Sequence, residues 1–382
     1  MRGGHPWVFA ESVRSQNRDG RAGELAVIFD RKDQFLAVGL YDPDSPIRVR
    51  VLHTGKPQAI GPAFWKQRTA EALARREGLF DHETTGYRCI NGESDGWPGL
   101  VLDRYGETEV VKIYTTAWLA RLAEIVPLLS AGDRLVLRLS RNVREKAAER
   151  FGLEDGRVLR GAPFSGAAPF LESGWRFEAD VACGQKTGFF LDQRENRRSA
   201  GALAAGRQVL NLFSYTGGFS LYAAGGGAAG VCSVDISERA LAGARRHFEL
   251  NRRHPAVARC RHETAQADVF AWLREAPPRR FGLVVLDPPA LAKRESERPQ
   301  ALGAYGALMA AAIGRVNKNG ILIAASCSAR VSAEEFFALA RQVARKSGRK
   351  FEVLKTTGHA PDHPAAFAEA EYLKCVYMRF PE

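Results

Sequence analysis

Four short segments of this chain carry residue types and spacings that could do chemistry. Val209-Leu-Asn-Leu-Phe-Ser-Tyr-Thr-Gly-Gly-Phe-Ser220 joins an apolar run to a glycine turn, and Val234-Asp-Ile-Ser237 follows it. The other two are Leu286-Asp-Pro-Pro289 and Ala325-Ser-Cys-Ser328. An apolar strand, a glycine turn, a small-residue helix and then a second strand ending in an acid, Asp235, form the half of a doubly wound sheet that binds an adenosyl group. The acid lies about twenty residues past the turn, where it is placed for ribose hydroxyls. The turn lacks the G-x-G-x-x-G that lets backbone amides approach a pyrophosphate. A cofactor with a ribose and no phosphates fits better, and S-adenosylmethionine is the one expected.

The elements that must position these residues are legible as apolar runs. Val209–Phe213, Val231–Val234, Leu283–Leu286 and Ile321–Ala324 show no polar alternation, as parallel strands covered on both faces do not. Helical stretches separate them, so repeated βα units imply a parallel sheet flanked by helices, with ligands beyond the carboxyl ends of the strands. Three regions are expected. Residues 1–54 are β-rich, with strands Leu25–Phe29, Phe35–Leu40 and Ile47–Leu52 between Gly, Asp and Pro turns. Arg48 and Arg50 alternate with valines in the third of these, which would put both on one face, either a solvated edge or an RNA surface. Residues 55–172 read as a compact α+β region. It has a helix near Phe64–Glu77, a hairpin turning at Tyr105-Gly106, a helix over Ala117–Leu129 and a strand over Leu135–Leu139. Residues 173–382 hold the alternating strands and helices.

Composition narrows the partners. The 382 residues include 55 Lys and Arg against 43 Asp and Glu, a formal net charge of +12. Clusters such as Arg245/Arg246/Arg252/Arg253 and Arg341/Arg345/Lys346/Arg349/Lys350 favour a polyanion, since nucleic acid binding gains from counterion release. A coding bias toward arginine, alanine and glycine is the plainer source of the same surplus. The six cysteines show no C-x-x-C spacing, which argues against zinc and suits reduced thiols in the cytoplasm. No apolar stretch reaches the length of a membrane span, so no membrane partner is expected.

These motifs resemble, in order and spacing, the bacterial large-subunit rRNA methyltransferase I family, which methylates cytosine carbon 5 in 23S rRNA. The likeness covers nearly the whole chain. Its further carriers are His5-Pro-Trp-Val-Phe9, Asn91-Gly-Glu-Ser-Asp-Gly-Trp-Pro-Gly-Leu100, Lys186-Thr-Gly-Phe-Phe-Leu-Asp-Gln-Arg194 and Asp362-His-Pro364. The resemblance implies a PUA-like RNA-binding domain over 1–54, a central α+β domain over 55–172, and a Rossmann-like class I methyltransferase domain over 173–382. Relatives extend further ahead of His5-Pro-Trp, so either the start is mis-assigned or the small barrel lacks its first strand. The family's Lys-Phe after Asp-Pro-Pro is Ala290-Leu291 here. Ribosomal RNA, as 23S rRNA or a large-subunit precursor, is the implied partner, with monomer and homodimer both open.

Carbon 5 of cytosine is a weak nucleophile, and a thiolate adding to carbon 6 would make it a strong one. Matched to the family's Ser-Cys-Ser motif, Cys327 is the expected nucleophile; a buried structural cysteine is the bland alternative. Asp287 is expected to hold the cytosine N3 and N4 edge, where an acid at a strand end could instead cap a helix. Asp235 is assigned to the ribose. Asn211, Ser214, Gly217 and Gly218 are assigned to the methionine side, and Asp268 to the adenine amino group unless it merely caps the following helix. Lys186, Asp192, Gln193 and Arg194 match the segment before the first strand, with Gln193 and Arg194 over cofactor or RNA. His363 is either a base contact or a structural histidine. Two other functions remain open: methylation of a guanine nitrogen in rRNA, which needs no thiolate, and a non-catalytic RNA-binding assembly factor.

Overall fold

The structure is a computed structural model that describes residues 4–129, 132–164 and 166–381. It divides into two compact units. One comprises residues 1–174, 178–191 and 361–367; the other comprises 175–177, 192–360 and 368–382.

The second unit is built on a seven-stranded sheet. Its order is Arg261–Gln266, Gly230–Asp235, Gln208–Leu212, Phe281–Leu286, Val316–Ser326, Lys374–Phe380, Glu352–Thr357. The first five run parallel, as the βα alternation predicts. The last two are a departure: Lys374–Phe380 is antiparallel to both of its neighbours. Every residue of Phe281–Leu286 is buried, as befits a central strand with helices on both faces. The helix Glu238–Leu250 starts at Ser237, whose Oγ accepts from Ala240 N, and it buries Ala240, Leu241, Ala244 and Phe248 along one stripe. Ala333–Lys346 begins with a full capping box between Ser332 and Glu335.

Two larger sheets belong to the first unit. Trp7–Phe9, Ile47–Thr54, Phe35–Tyr41 and Leu25–Phe29 form a four-stranded one in that order. The Ile47–Thr54 strand is therefore interior, and the expected pairing of two arginines on an open face fails for Arg50. That side chain is buried, donating from Nη1 to Glu93 Oε1 at 2.8 Å beside the ring of Trp7. Arg48 is half-buried against Tyr41 and donates to the carbonyl of Pro43. A five-stranded sheet follows, with the predicted hairpin Leu100–Tyr105 and Thr108–Ile113 at its centre. The helix expected over Ala117–Leu129 is two helices, Thr116–Leu119 and Leu122–Leu129. At the break, Arg121 turns its guanidinium to the carbonyl of Gly23. Trp65, Trp97 and Trp118 pack on one another with ring centres 5.3–5.4 Å apart.

Among the described residues no helix is long and apolar enough to cross a membrane, and no cluster of His, Cys, Asp and Glu could hold a metal ion.

Candidate active site

All the chemistry-bearing residues of the second unit gather where the parallel strands end. Asp235 is the last residue of its strand. Its Oδ2 accepts from Tyr215 N at 2.8 Å and its Oδ1 from Ser237 N at 2.9 Å. The carboxylate thus ties together the turns after two adjacent strands. The first of those turns has an unusual backbone: Phe213, Tyr215 and Gly217 all have positive φ, at 58°, 47° and 73°. Two bulky residues in left-handed conformations store strain of a kind found at ligand-binding turns. Gly217 is needed for a second reason, because a Cβ there would lie 2.7 Å from the Cβ of Ala244 on the packed helix.

This turn also contains two buried hydroxyl oxygens without a protein partner, Ser214 Oγ and Thr216 Oγ1. Buried hydroxyls are nearly always bonded, so an orphaned pair on a strained turn marks a place for a ligand. Beside them Ile236 is 68% exposed, an apolar side chain held in the open directly after the acid. An acidic acceptor for ribose hydroxyls, unpartnered hydroxyls and an apolar ledge fit an adenosyl cofactor. Ser214, Thr216, Asp235 and Ile236 are the residues that would hold it.

Neighbouring side chains position this turn. His247, buried on the Glu238–Leu250 helix, lies 2.7 Å from the Thr216 carbonyl through Nδ1. Asn211 is buried too, and its Nδ2 donates to Ser220 Oγ at 2.9 Å, which is 2.7 Å from Ser233 Oγ. The asparagine amide therefore braces strand to helix under the turn. Gly218 is the first residue of that helix. Asp268 is exposed and caps Val269–Glu275, its Oδ1 accepting from Ala271 N at 2.9 Å. It is nevertheless brought near Asp235, whose carbonyl accepts from Ala267 N at 3.0 Å.

Asp287 and Cys327 follow the adjacent parallel strands Phe281–Leu286 and Val316–Ser326. The Cys327 sulfur lies 3.9 Å from the carbonyl of Pro288, so the two loops meet. Cys327 is half-exposed, whereas Ser326 and Ser328 on either side are fully buried. Both serines bond to the phenol of Tyr305, at 3.0 and 2.9 Å. Ser328 Oγ also accepts from Leu291 N and Ala292 N, at 3.0 and 3.3 Å. The flanking serines thus clamp the chain after Asp-Pro-Pro onto the chain around the cysteine.

Asp287 is oriented from its other side. Gln193 Nε2 donates to Asp287 Oδ1 at 3.0 Å, and Asn196 Nδ2 donates to Gln193 Oε1 at 2.6 Å. Asn196 Oδ1 in turn accepts from Thr357 Oγ1 at 2.6 Å and Tyr377 OH at 2.9 Å. The buried polar chain reaches from the carboxylate to the antiparallel strands. Arg194, also buried, begins the Arg194–Ala202 helix. Asp192 Oδ2 accepts from Tyr372 OH at 2.8 Å. Sequence reading missed Tyr305, His247, Thr216, Ile236 and Asn196; an apolar residue between the polar Asp235 and Ser237 was a local signal for Ile236.

Two motifs lie in the first unit. Asp95 of the Asn91–Leu100 motif is buried and pairs with Arg76 at 2.7 Å, while its Oδ2 also accepts from Asn91 N. His363 is buried with Nδ1 3.1 Å from Asp362 Oδ1, and Asp362 Oδ2 accepts from Arg88 N at 2.8 Å. Lys186, of positive φ, directs its ammonium over the ring of Phe190.

Comparison with known proteins adds the lineage. The S-adenosylmethionine-dependent methyltransferase family profile matches residues 131–327, and a PUA-like domain profile matches residues 1–54. The Deinococcus radiodurans protein named ribosomal RNA large subunit methyltransferase is 54% identical, covering 99% of this chain and 94% of that one. The Tolumonas auensis ribosomal RNA large subunit methyltransferase I is 35% identical over 98% of this chain and 95% of its own. Among solved structures, SMU.776, in complex with SAH, superposes with a TM-score of 0.81 at 23% identity, covering 99% and 96% of the two chains. That likeness speaks for the fold.

Proposed function

The chain belongs to the S-adenosylmethionine-dependent ribosomal RNA large subunit methyltransferases, and from that premise we propose that it methylates carbon 5 of a cytosine in 23S rRNA through a covalent adduct with Cys327. The observation that carries the reading is the pairing of Cys327 and Asp287 on adjacent loops. One is a half-exposed thiol held between two buried serines, and the other is a carboxylate steered by a buried amide chain.

S-adenosylmethionine, when bound, would supply an electrophilic methyl group. Everything else falls to the protein. Asp235 accepts from the ribose hydroxyls while its backbone partners keep the turn in shape. Ser214 and Thr216 offer their hydroxyls to the ligand. Cys327, as the thiolate, adds to carbon 6 of the cytosine, and the ring electrons that this frees make carbon 5 nucleophilic. Asp287, in its protonated form, donates to N3 and accepts from the N4 amino group, and so holds the ring plane against the sulfur. Once carbon 5 carries the methyl group, loss of its proton to a base expels the thiolate and restores the aromatic ring. The basic surplus of the chain serves the RNA. In the first unit, Arg14, Gln16, Tyr41 and Arg48 line a cleft suited to a phosphate backbone.

The test is a trapping experiment. A 23S rRNA transcript made with 5-fluorocytidine can be methylated, but the fluorine cannot leave as a proton. The adduct should then persist through denaturing electrophoresis and be absent with Cys327→Ala. That variant should lose methylation and still bind S-adenosylmethionine. Methylation by Cys327→Ala at the wild-type rate would overturn the reading in favour of a ring or amino nitrogen, whose lone pair needs no thiolate.

A further inference from the structure

The Ser-Cys-Ser segment has an unexplained neighbour. Lys374 begins the antiparallel strand paired to the one that leads into Cys327, and its register partner is Ser326. Its side chain is directed along that pairing and past the cysteine. Nζ donates to the Ser328 carbonyl at 2.6 Å and to the Tyr372 carbonyl at 3.1 Å. Cys327 is thus bracketed by one lysine: Ser326 lies opposite its backbone and Ser328 is bonded to its ammonium.

Lys374 is 1% exposed, and among the described residues its hydrogen bonds go to backbone carbonyls. A buried ammonium without an anion is costly, so an anion nearby is the arrangement that stabilises it. We propose that Lys374 is the counter-charge of the Cys327 thiolate, a positioning residue that keeps the nucleophile deprotonated at neutral pH. The proposal rests on Cys327 being the nucleophile.

The other charged or titratable groups packed around this point are committed elsewhere or neutral. Glu335, at the start of Ala333–Lys346, is held by Arg298 and by the Ser332 amide. Asp287 accepts from Gln193. The Tyr305 phenol on the Arg298–Gly314 helix is raised above its ordinary range by burial, hence neutral. The Cys375 thiol is pushed up to about 12 by burial. His359 Nε2 accepts from Leu373 N, and Asp192 takes the Tyr372 hydroxyl. Burial pushes Lys374 itself down to about 8, while the nearby Cys327 and Glu335 act to raise it. A lysine there is still mostly cationic at pH 7. Interaction between two titrating groups is mutual, so whatever a thiolate does for the ammonium the ammonium does for the thiolate. The thiol proton passes to solvent, and no other bond changes.

The test uses the full chain and iodoacetamide, with alkylation of Cys327 followed by peptide mass spectrometry as a function of pH. The wild-type midpoint should fall below the value of about 8.5 of a free cysteine. Lys374→Met should raise it by about one unit or more, the size expected from removing an opposite charge, and so cut the thiolate fraction at neutral pH about tenfold. Lys374→Arg, which keeps the charge, should bring it back toward wild type. An unchanged midpoint in Lys374→Met, or one as high in Lys374→Arg as in Lys374→Met, would overturn the proposal. If Lys374→Met fails to bind S-adenosylmethionine and so has lost its fold, the wild-type profile decides: a midpoint at or above about 8.5 refutes it. Failure of the nucleophile reading shows separately, as methylation by Cys327→Ala, whatever the midpoints are.

Discussion

Replacing Asp235 by alanine should weaken S-adenosylmethionine binding by two separable amounts. The first is the ribose interaction. Hydrogen bonds to a charged acceptor are worth about 1.5–3 kcal/mol, and alanine offers nothing in their place. The second comes from the turn, since Asp235 Oδ2 holds Tyr215 N at 2.8 Å and Oδ1 holds Ser237 N at 2.9 Å. Tyr215 sits at φ 47°, a conformation it does not keep unaided. Its amide is only partly buried and water can reach it, so losing this tether costs about 1 kcal/mol rather than a full desolvation penalty. The sum, about 2.5–4 kcal/mol, is a loss of roughly 60- to 700-fold at 1.4 kcal/mol per decade. Titration calorimetry with S-adenosylmethionine reads the loss, and thermal melting of the free protein reads the part that belongs to folding. Asp235→Asn separates the two further: it keeps the size and one acceptor oxygen, so it should retain a cooperative melt and still bind poorly. Unchanged affinity in Asp235→Ala would remove this carboxylate from the cofactor site, and the argument from the strand end with it.

Two further outcomes follow from burial and exposure. His262 stacks on Phe248 with its Nε2 2.9 Å from Ser233 Oγ, and burial, aided by Arg245, pushes it down to about 4 from 6.5. Between those values the unfolded chain binds a proton that the folded chain refuses, so stability is present at neutral pH and falls as pH drops through the window. The full contribution is about 3 kcal/mol; urea melts at neutral and acid pH should show His262→Phe less acid-sensitive than wild type, and equal sensitivity would mean that the ring is not held neutral. In the first unit, Arg14→Ala should lower the slope of log RNA affinity against log salt by about one, as loss of a phosphate contact does. Arg50→Ala should leave that slope alone and lower the melting temperature, because its guanidinium is committed to Glu93; a reduced slope in Arg50→Ala would return that strand to the RNA surface.

What could be read from the sequence was local. The central strands announced themselves because burial on both faces demands uninterrupted apolar residues, and Phe281–Leu286 satisfies that at every position. Asp235 and Asp287 could be placed at the carboxyl ends of strands because each directly follows such a run, and Cys327 because it comes shortly after one. The misread features depend on partners far away in the chain. Arg50 looked like part of an open face until Trp7–Phe9 supplied a neighbouring strand and Glu93 an anion. The single break in the helix after Leu119 had no signature in its apolar pattern. Lys374 occupies the first place of an apolar strand whose antiparallel pairing joins it to residues about fifty positions earlier, beyond the reach of any periodicity argument.

The order of the Ser-Cys-Ser motif itself has a geometric cause. Successive side chains in extended backbone point to opposite sides. Ser326 and Ser328 therefore share one side, where the phenol of Tyr305 binds both, and Cys327 must take the other. A single tyrosine inside the core thereby fixes which residue of the three faces outward, and the same Ser328 hydroxyl anchors the loop after Asp287. A thiol presented this way stays half-exposed between two buried serines. Any residue placed between those two serines would be displayed at the mouth of the site, so the cysteine side chain is not part of the packing that holds the loop. Cys327→Ala should accordingly keep a cooperative melt, lowered at neutral pH only by the loss of the thiolate that faces Lys374, while losing the reaction, which is the combination expected of a residue displayed by the fold rather than built into it.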